Sequence, residues 1–171
     1  GHRVVCLDDF STGTMAAIAP LMACPADPTW WSRDPAFVAT TAFVGTARLL
    51  GLAARCGARF VQASTREVYG DPELHPQPED DPGRVDCTGP RACYDEGKRA
   101  AEALCADARR AGQDVRVTRL FNAYGPGMRP DDGRVIAAFI SAAQAGRPLV
   151  VFGDGSQTRS FCFVDDMLDG M

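Results

Sequence analysis

Tyr94 and Lys98 stand four residues apart, and no other pair in the sequence is better placed to do chemistry together. On a helix, positions i and i+4 share a face, so the phenol and the ammonium would open into one cleft. A phenol with an ordinary pKa of about 10 is a poor base at neutral pH, but a neighbouring cation favours the phenolate. Such a pair makes a general base that takes a proton from an alcohol as its hydride leaves. The three donors of Lys98 could also hold a ribose hydroxyl. Composition singles out the same residue: of 18 basic residues, Lys98 is the one lysine and the rest are arginine. A guanidinium stays charged and replaces a compact, titratable ammonium poorly, so a lone surviving lysine is a candidate for a specific task.

A second group follows the apolar run at 59–63. Ser64 and Thr65 put hydroxyls at what reads as a strand end, and Glu67 adds a carboxylate two residues later. A hydroxyl there could donate to a substrate carbonyl and steady the tyrosine, and the carboxylate could relay a proton. Asp8 ends the first apolar run (Val4, Val5, Leu7), where a carboxylate could accept both hydroxyls of an adenosine ribose. Taken alone, an acid at that place is equally a turn or a cap. Arg159, within Gly153–Phe161, carries a fork that suits a diphosphate or a carboxylate; it is equally one surface arginine among many.

The elements that must position these residues alternate. His2–Leu7 reads as a buried parallel strand, and Ala36–Arg55 has apolar residues at helical spacing with Gly57 to cap it. Arg59–Ala63 reads as a strand, Asp71–Pro90 as a proline-rich loop, and Ala92–Ala111 as an alanine-rich helix followed by Gly112. Val115–Phe121 is a strand, Tyr124–Asp132 a turn, Val135–Ala145 a helix and Pro148–Phe152 a strand. Alternating strands and helices predict an α/β fold around a parallel sheet, with ligands at the carboxyl ends of the strands. Asp8, Ser64, Thr65 and Asn122 all follow strands in this reading.

Composition narrows the class. With 46% hydrophobic and 23% charged residues, the 171-residue chain has the profile of a soluble globular domain. A net charge of −4 gives no reason to expect nucleic acid as a partner. No run of about 20 uninterrupted apolar residues predicts a membrane span, and no leader pattern opens the chain. Seven irregularly spaced cysteines without a CxxC, and two histidines, exclude a disulfide framework and a structural metal site as expectations. Reduced cytoplasmic thiols that fill core gaps are expected instead.

Several stretches together resemble one family. They are Val5–Gly13, Ala23–Pro28, Ser64–Pro72, His75–Gln77, Gly89–Arg99, Phe121–Pro126, Asp132–Val135 and Gln157–Phe161. They are similar to the UDP-glucuronate decarboxylases, also called UDP-xylose synthases, within the extended short-chain dehydrogenase/reductases. Gly89–Arg99 (GPRACYDEGKR) is the specific part; the others also suit related epimerases and 4,6-dehydratases. The resemblance implies a partial Rossmann-like, doubly wound NAD-binding domain over 1–125, lacking its first βα unit, and the start of a nucleotide-sugar-binding part over 126–171. It implies NAD as cofactor, a UDP-sugar as substrate and a homodimer. It further implies Thr65, Glu67, Tyr94 and Lys98 as catalytic residues. Asp8, Asp9, Phe10, Ser11, Thr12, Ala23, Tyr94 and Lys98 would contact NAD, and Asn122, Arg134 and Arg159 the UDP-sugar. In this scheme Tyr94 deprotonates the C4 hydroxyl, carbon dioxide leaves the resulting 4-keto acid, and reduction gives UDP-xylose. An epimerase, a 4,6-dehydratase, or a non-catalytic protein that binds nucleotide sugar are the alternatives.

The chain departs from the family in places. No GxxGxxG turn follows a strand, and only nine residues separate Gly13 from Ala23. Arg66 stands where the family has Ser or an acid, Ala42 where Asn or Ser is expected, and Arg48 where Asn is expected. Without the glycine-rich turn several charge-assisted hydrogen bonds to the pyrophosphate are missing, each worth about 1.5–3 kcal/mol. These departures predict that this polypeptide does not turn over UDP-glucuronate, and Arg66 would oppose loss of carbon dioxide by pairing with the substrate carboxylate.

Overall fold

The computed structural model describes residues 34–129 and 133–171. His2–Leu7 and the expected cofactor contacts Asp8, Asp9, Phe10, Ser11, Thr12 and Ala23 lie outside the described residues.

The first described element is a long helix, α1 (Pro35–Cys56). Asp34 caps it by accepting from the Phe37 N–H at 2.8 Å, and Pro35 occupies the first turn, where a missing N–H costs nothing. Gly57 ends it in the left-handed conformation, as its position in the sequence predicts. Within α1, Thr41–Gly45 widens to a π turn. Over its 22 residues α1 is long and apolar enough to cross a membrane by length and composition. Here it packs along the next helix and reaches the sheet through Thr46, whose hydroxyl donates to Gln62 Oε1 at 3.2 Å.

Strand β1 (Phe60–Thr65) runs into a short 3-10 turn, Arg66–Tyr69. A loop leads to α2 (Ala92–Arg110) and then β2 (Val115–Leu120). The two strands pair in parallel, from Phe60 opposite Val115 to Thr65 opposite Leu120. A parallel pair needs a crossover, which α2 supplies. The core joins all of these: Leu50 from α1, Cys105 from α2 and Val115 from β2, with Phe60, Leu104, Ala108 and Val117 packed around them. Full burial of a side chain such as Val115 contributes about 1.5–3 kcal/mol. Gly97 lets α1 and α2 close up, because a Cβ there would sit 3.1 Å from Ala42 Cβ and 3.5 Å from Ala39 Cα.

β3 (Asn122–Tyr124) pairs with β4 (Phe161–Phe163) in a second small sheet, and α4 (Val164–Gly170) follows; α3 (Val135–Gln144) precedes β4 in the chain. The described residues fall into two compact units. One comprises 34–123 with Ser160–Met171, the other Tyr124–Arg159. Two expectations need correction. Pro148–Phe152 is not a strand: Val150 and Phe152 are exposed and no described strand offers them a ladder. Nor do the cysteines all fill core gaps. Cys105 does, and burial pushes its thiol up to about 11, but Cys56 and Cys87 are exposed. All five described cysteines are free thiols.

Candidate active site

The site is built on the carboxyl end of β1. Thr65, the last strand residue, keeps an extended backbone and caps the 3-10 turn, its hydroxyl oxygen accepting from the Glu67 N–H at 3.3 Å. The turn closes at Gly70, with φ of 63°. Only glycine fits there: a Cβ would lie 1.9 Å from the Arg84 carbonyl oxygen, which accepts from the Asp71 N–H at 3.0 Å. This clasp holds the far end of the 71–84 loop against the strand exit and fixes where Thr65 and Glu67 stand.

Tyr94 lies in the first turn of α2 and Lys98 one turn later, both half-buried. Lys98 Nζ is 5.8 Å from the Tyr94 ring centroid, so the two side chains do share a face. Thr65 and Tyr94 are joined by a side-chain hydrogen bond, and Lys98 Nζ donates to the Ala63 carbonyl at 2.8 Å. Thr65, Tyr94 and Lys98 thus gather at one strand end.

The electrostatics differ from the sequence expectation. Burial pushes the Tyr94 phenol above its ordinary value; the Thr65 bond opposes this, Glu67 adds to it, Arg91 opposes it and Asp95 adds to it. Lys98, its own ammonium held below the ordinary lysine range by burial, does not offset that desolvation. Desolvation penalises both charged forms and outweighs the helical-turn pairing. A second cation, Arg91, favours the phenolate, its guanidinium carbon 5.9 Å from the ring centroid.

Glu67 stands between two guanidiniums, 3.1 Å from Arg66 Nη2 and 3.6 Å from Arg91 Nη2. Arg66 therefore engages the carboxylate next to it in the chain. Beside this group, burial raises the Asp95 carboxyl, Arg91 opposes and Glu67 reinforces the shift, and Asp95 Oδ1 is buried without a hydrogen-bond partner. Reasoning from sequence assigns Arg91 and Asp95 no role. Their signal is position, since both flank Tyr94 at the helix start.

The residues expected to hold a UDP-sugar are less concentrated. Asn122 begins β3, and its Nδ2 donates to the Ser160 carbonyl at 2.9 Å, tying β3 to the approach to β4. Arg134 caps α3 at an exposed position, and exposed Arg159 donates to the Thr158 carbonyl at 2.7 Å. Both arginines belong to the unit Tyr124–Arg159.

Among known proteins, the NAD dependent epimerase/dehydratase family matches residues 5–171. UDP-glucuronic acid decarboxylase 5 of Arabidopsis thaliana is 52% identical over 151 residues, covering 88% of this chain and 44% of the relative. UDP-glucuronic acid decarboxylase 1 of Xenopus tropicalis is 43% identical over 198 residues, covering 100% of this chain and 47% of the relative. The chain thus spans about half the length of these curated relatives. Among solved structures, an NAD-dependent NDP-hexosamine 5,6-dehydratase of tunicamycin biosynthesis superposes with a TM-score of 0.68 at 28% identity, over 91% of this chain and 52% of that one. The UDP-glucose 4-epimerase of Thermus thermophilus, in complex with NAD, gives a TM-score of 0.66 at 26% identity, over 86% and 49%.

Proposed function

Because the chain belongs to the NAD dependent epimerase/dehydratase family, with its Rossmann-like α/β fold, we propose that its site serves the NAD-dependent decarboxylation of UDP-glucuronate to UDP-xylose through a 4-keto intermediate. The observation that carries this reading is the meeting of Tyr94 with Thr65, and of Lys98 with the Ala63 carbonyl, at the end of a parallel strand. The 52% identity to a UDP-glucuronic acid decarboxylase supports the substrate class.

The described residues fit NAD as cofactor. Lys98 spends one of three donors on Ala63 and brings a half-buried ammonium to the strand end, where sheets of this kind hold their ligands. When bound, NAD supplies the hydride acceptor and donor. Tyr94 takes the proton of the C4 hydroxyl, and Thr65 holds the C4 oxygen and the phenol in line. The oxidised sugar is a β-keto acid. The electrons of its carboxyl bond pass into an enolate as carbon dioxide leaves, and a proton then returns to carbon. A phenol held above its ordinary value suits the last half of the reaction, in which Tyr94 gives its proton back to the C4 oxygen. Glu67 stands two residues from Thr65 for proton relay near the ring, while Asn122, Arg134 and Arg159 take the UDP part. Cytoplasmic location is supported by the free thiols, and a homodimer by exposed Phe37, Phe43, Val44 and Leu52 on α1.

A second reading, a protein that binds nucleotide sugar without turnover, is favoured by one observation. Arg66 engages the Glu67 carboxylate at 3.1 Å and so ties up the group proposed for proton relay. Calorimetric titration with NAD and with UDP-glucuronate, followed by mass-spectrometric product analysis, tests both readings. The leading one expects NAD binding that weakens in Lys98→Met, and a UDP-pentose as the product of any turnover, lost in Tyr94→Phe. Binding of UDP-sugar without NAD supports the second reading. Binding of neither, or a chromatographically distinct UDP-hexuronate of unchanged mass as the product, overturns the decarboxylase assignment.

A further inference from the structure

Three successive residues of β1 are each bound by one residue of α2. Lys98 Nζ donates to Ala63 O at 2.8 Å, Ser64 Oγ donates to Glu102 Oε1 at 2.5 Å, and Thr65 shares a hydrogen bond with Tyr94. The outer two contacts use groups that the proposed reaction also uses. The middle one uses groups the reaction has no need of.

That middle contact is also the strongest. Glu102 follows Lys98 by one helical turn, on the same face. Besides Ser64, its carboxylate accepts from Arg119 Nε at 3.0 and 3.2 Å and from Nη2 at 2.8 Å. The Glu102 and Arg119 side chains are 17% and 25% exposed. Burial pushes the Glu102 carboxyl up, yet the hydrogen bonds from Arg119 and Ser64 more than offset it and hold the group below its ordinary value. Arg119 stands opposite Ser64 in the parallel register, so a single carboxylate on α2 is tied to both strands one rung before their ends. The rest of the guanidinium reaches outward: Nη1 donates to the Glu79 carbonyl at 2.8 Å, and Cζ lies 4.7 Å from the Tyr69 ring centroid. Arg99, on α2, ties the 3-10 turn and the same loop together through Val68 O and Pro82 O, at 2.9 and 2.7 Å.

We propose that Glu102 and Arg119 are positioning residues of this site: the pair sets the register of α2 against the ends of β1 and β2, and so keeps Tyr94 at Thr65 and Lys98 at Ala63. A partly desolvated carboxylate held by four hydrogen bonds is stiffer than a hydroxyl pair or one ammonium bond. The role deepens the proposed function and rests on it for its purpose, but its test does not.

The chain has three tyrosines, Tyr69, Tyr94 and Tyr124. With the ring carbon bearing the hydroxyl labelled with 13C, each gives one NMR resonance, and Tyr94→Phe assigns the one of interest. Ser64→Ala changes no charge, so a change in that variant reports geometry and not a lost charge. In Ser64→Ala and in Glu102→Gln the Tyr94 resonance is expected to titrate at higher pH, as the Thr65 bond that holds it down loosens. Leu50→Ala, a core substitution, serves as the control: it lowers the melting temperature and leaves the Tyr94 titration in place. An unchanged Tyr94 titration in folded Ser64→Ala overturns the proposal, as does an equal shift in Leu50→Ala. Ser64→Ala removes one hydroxyl and decides the matter if Glu102→Gln does not fold. A site without catalysis would sink the proposed function and leave this result standing.

Discussion

The Glu102–Arg119 pair gives a number that can be checked by stability alone. Removing one partner of a fully buried pair costs about 3–5 kcal/mol, because the other charge is left desolvated. A fully exposed pair is worth about 0–1 kcal/mol. With side chains 17% and 25% exposed, this pair sits nearer the first limit. Glu102→Met strands a guanidinium that keeps only the Glu79 carbonyl and the Tyr69 face, and Arg119→Met strands a carboxylate that keeps only Ser64. Each single change is expected to cost roughly 2–3 kcal/mol by interpolation between those limits. The double change replaces both charges by side chains of similar length, and leaves one hydroxyl and one carbonyl to find water, at roughly 1–2 kcal/mol. The coupling, the two single costs less the double, is then about 3–4 kcal/mol, at or just above the top of the range for groups in direct contact. Urea unfolding of the four proteins at neutral pH measures it. The acid limb adds a sign. The native Glu102 carboxyl is held below its ordinary value, so its contribution is complete above the unfolded carboxyl range and is lost as pH falls through the native value. The deficit of Glu102→Met should therefore shrink in acid. A coupling under about 0.5 kcal/mol, within the scatter of independent sites, or a deficit that persists unchanged in acid, would refute the reasoning.

Other expectations follow from the same contacts. Thr65→Val removes the hydroxyl that bonds Tyr94 and the cap on the 3-10 turn; it should cost about 1 kcal/mol and move the Tyr94 titration upward by NMR, and an unmoved titration counts against the bond. Lys98→Met should stabilise the protein by up to about 1 kcal/mol at neutral pH, since burial disfavours the ammonium. Because the native Lys98 value is lowered, stability rises with pH between it and the unfolded lysine value, so this gain should vanish in strongly alkaline buffer; thermal melts across pH read it. Gly97→Val should cost about 1–3 kcal/mol by forcing α1 off α2, because a Cβ already meets Ala42 at 3.1 Å; an unchanged melting temperature would sink that packing argument.

How far the sequence could be read depended on whether a feature was local. α1 and α2 were legible to within a residue or two, from apolar spacing, alanine content and the glycines after them, and the parallel strands from their alternation with helices. The shared face of Tyr94 and Lys98 was legible too, because helical spacing fixes it. The direction of the Tyr94 shift was not, since it depends on how much water the packing of α1, β1 and α2 removes. Pro148–Phe152 has strand-like residues, yet a strand is a property of two chain segments and its apolar run names only one. Glu102 could have been found as the next residue along the Lys98 face. Its meaning required Arg119 and Ser64, separated from it by 17 and 38 residues in the chain.

A protein with a single side-chain amine carries its own address label. Lys98 is that amine, it is half-buried beside Tyr94, and burial keeps part of its population closer to the neutral, nucleophilic form than an exposed lysine would be. Within residues 1–171, an amine-directed fluorophore or crosslinker has one side-chain destination. Its rate of attachment becomes a gauge of how open the surroundings of Tyr94 are, and any nucleotide that covers Lys98 should slow that rate.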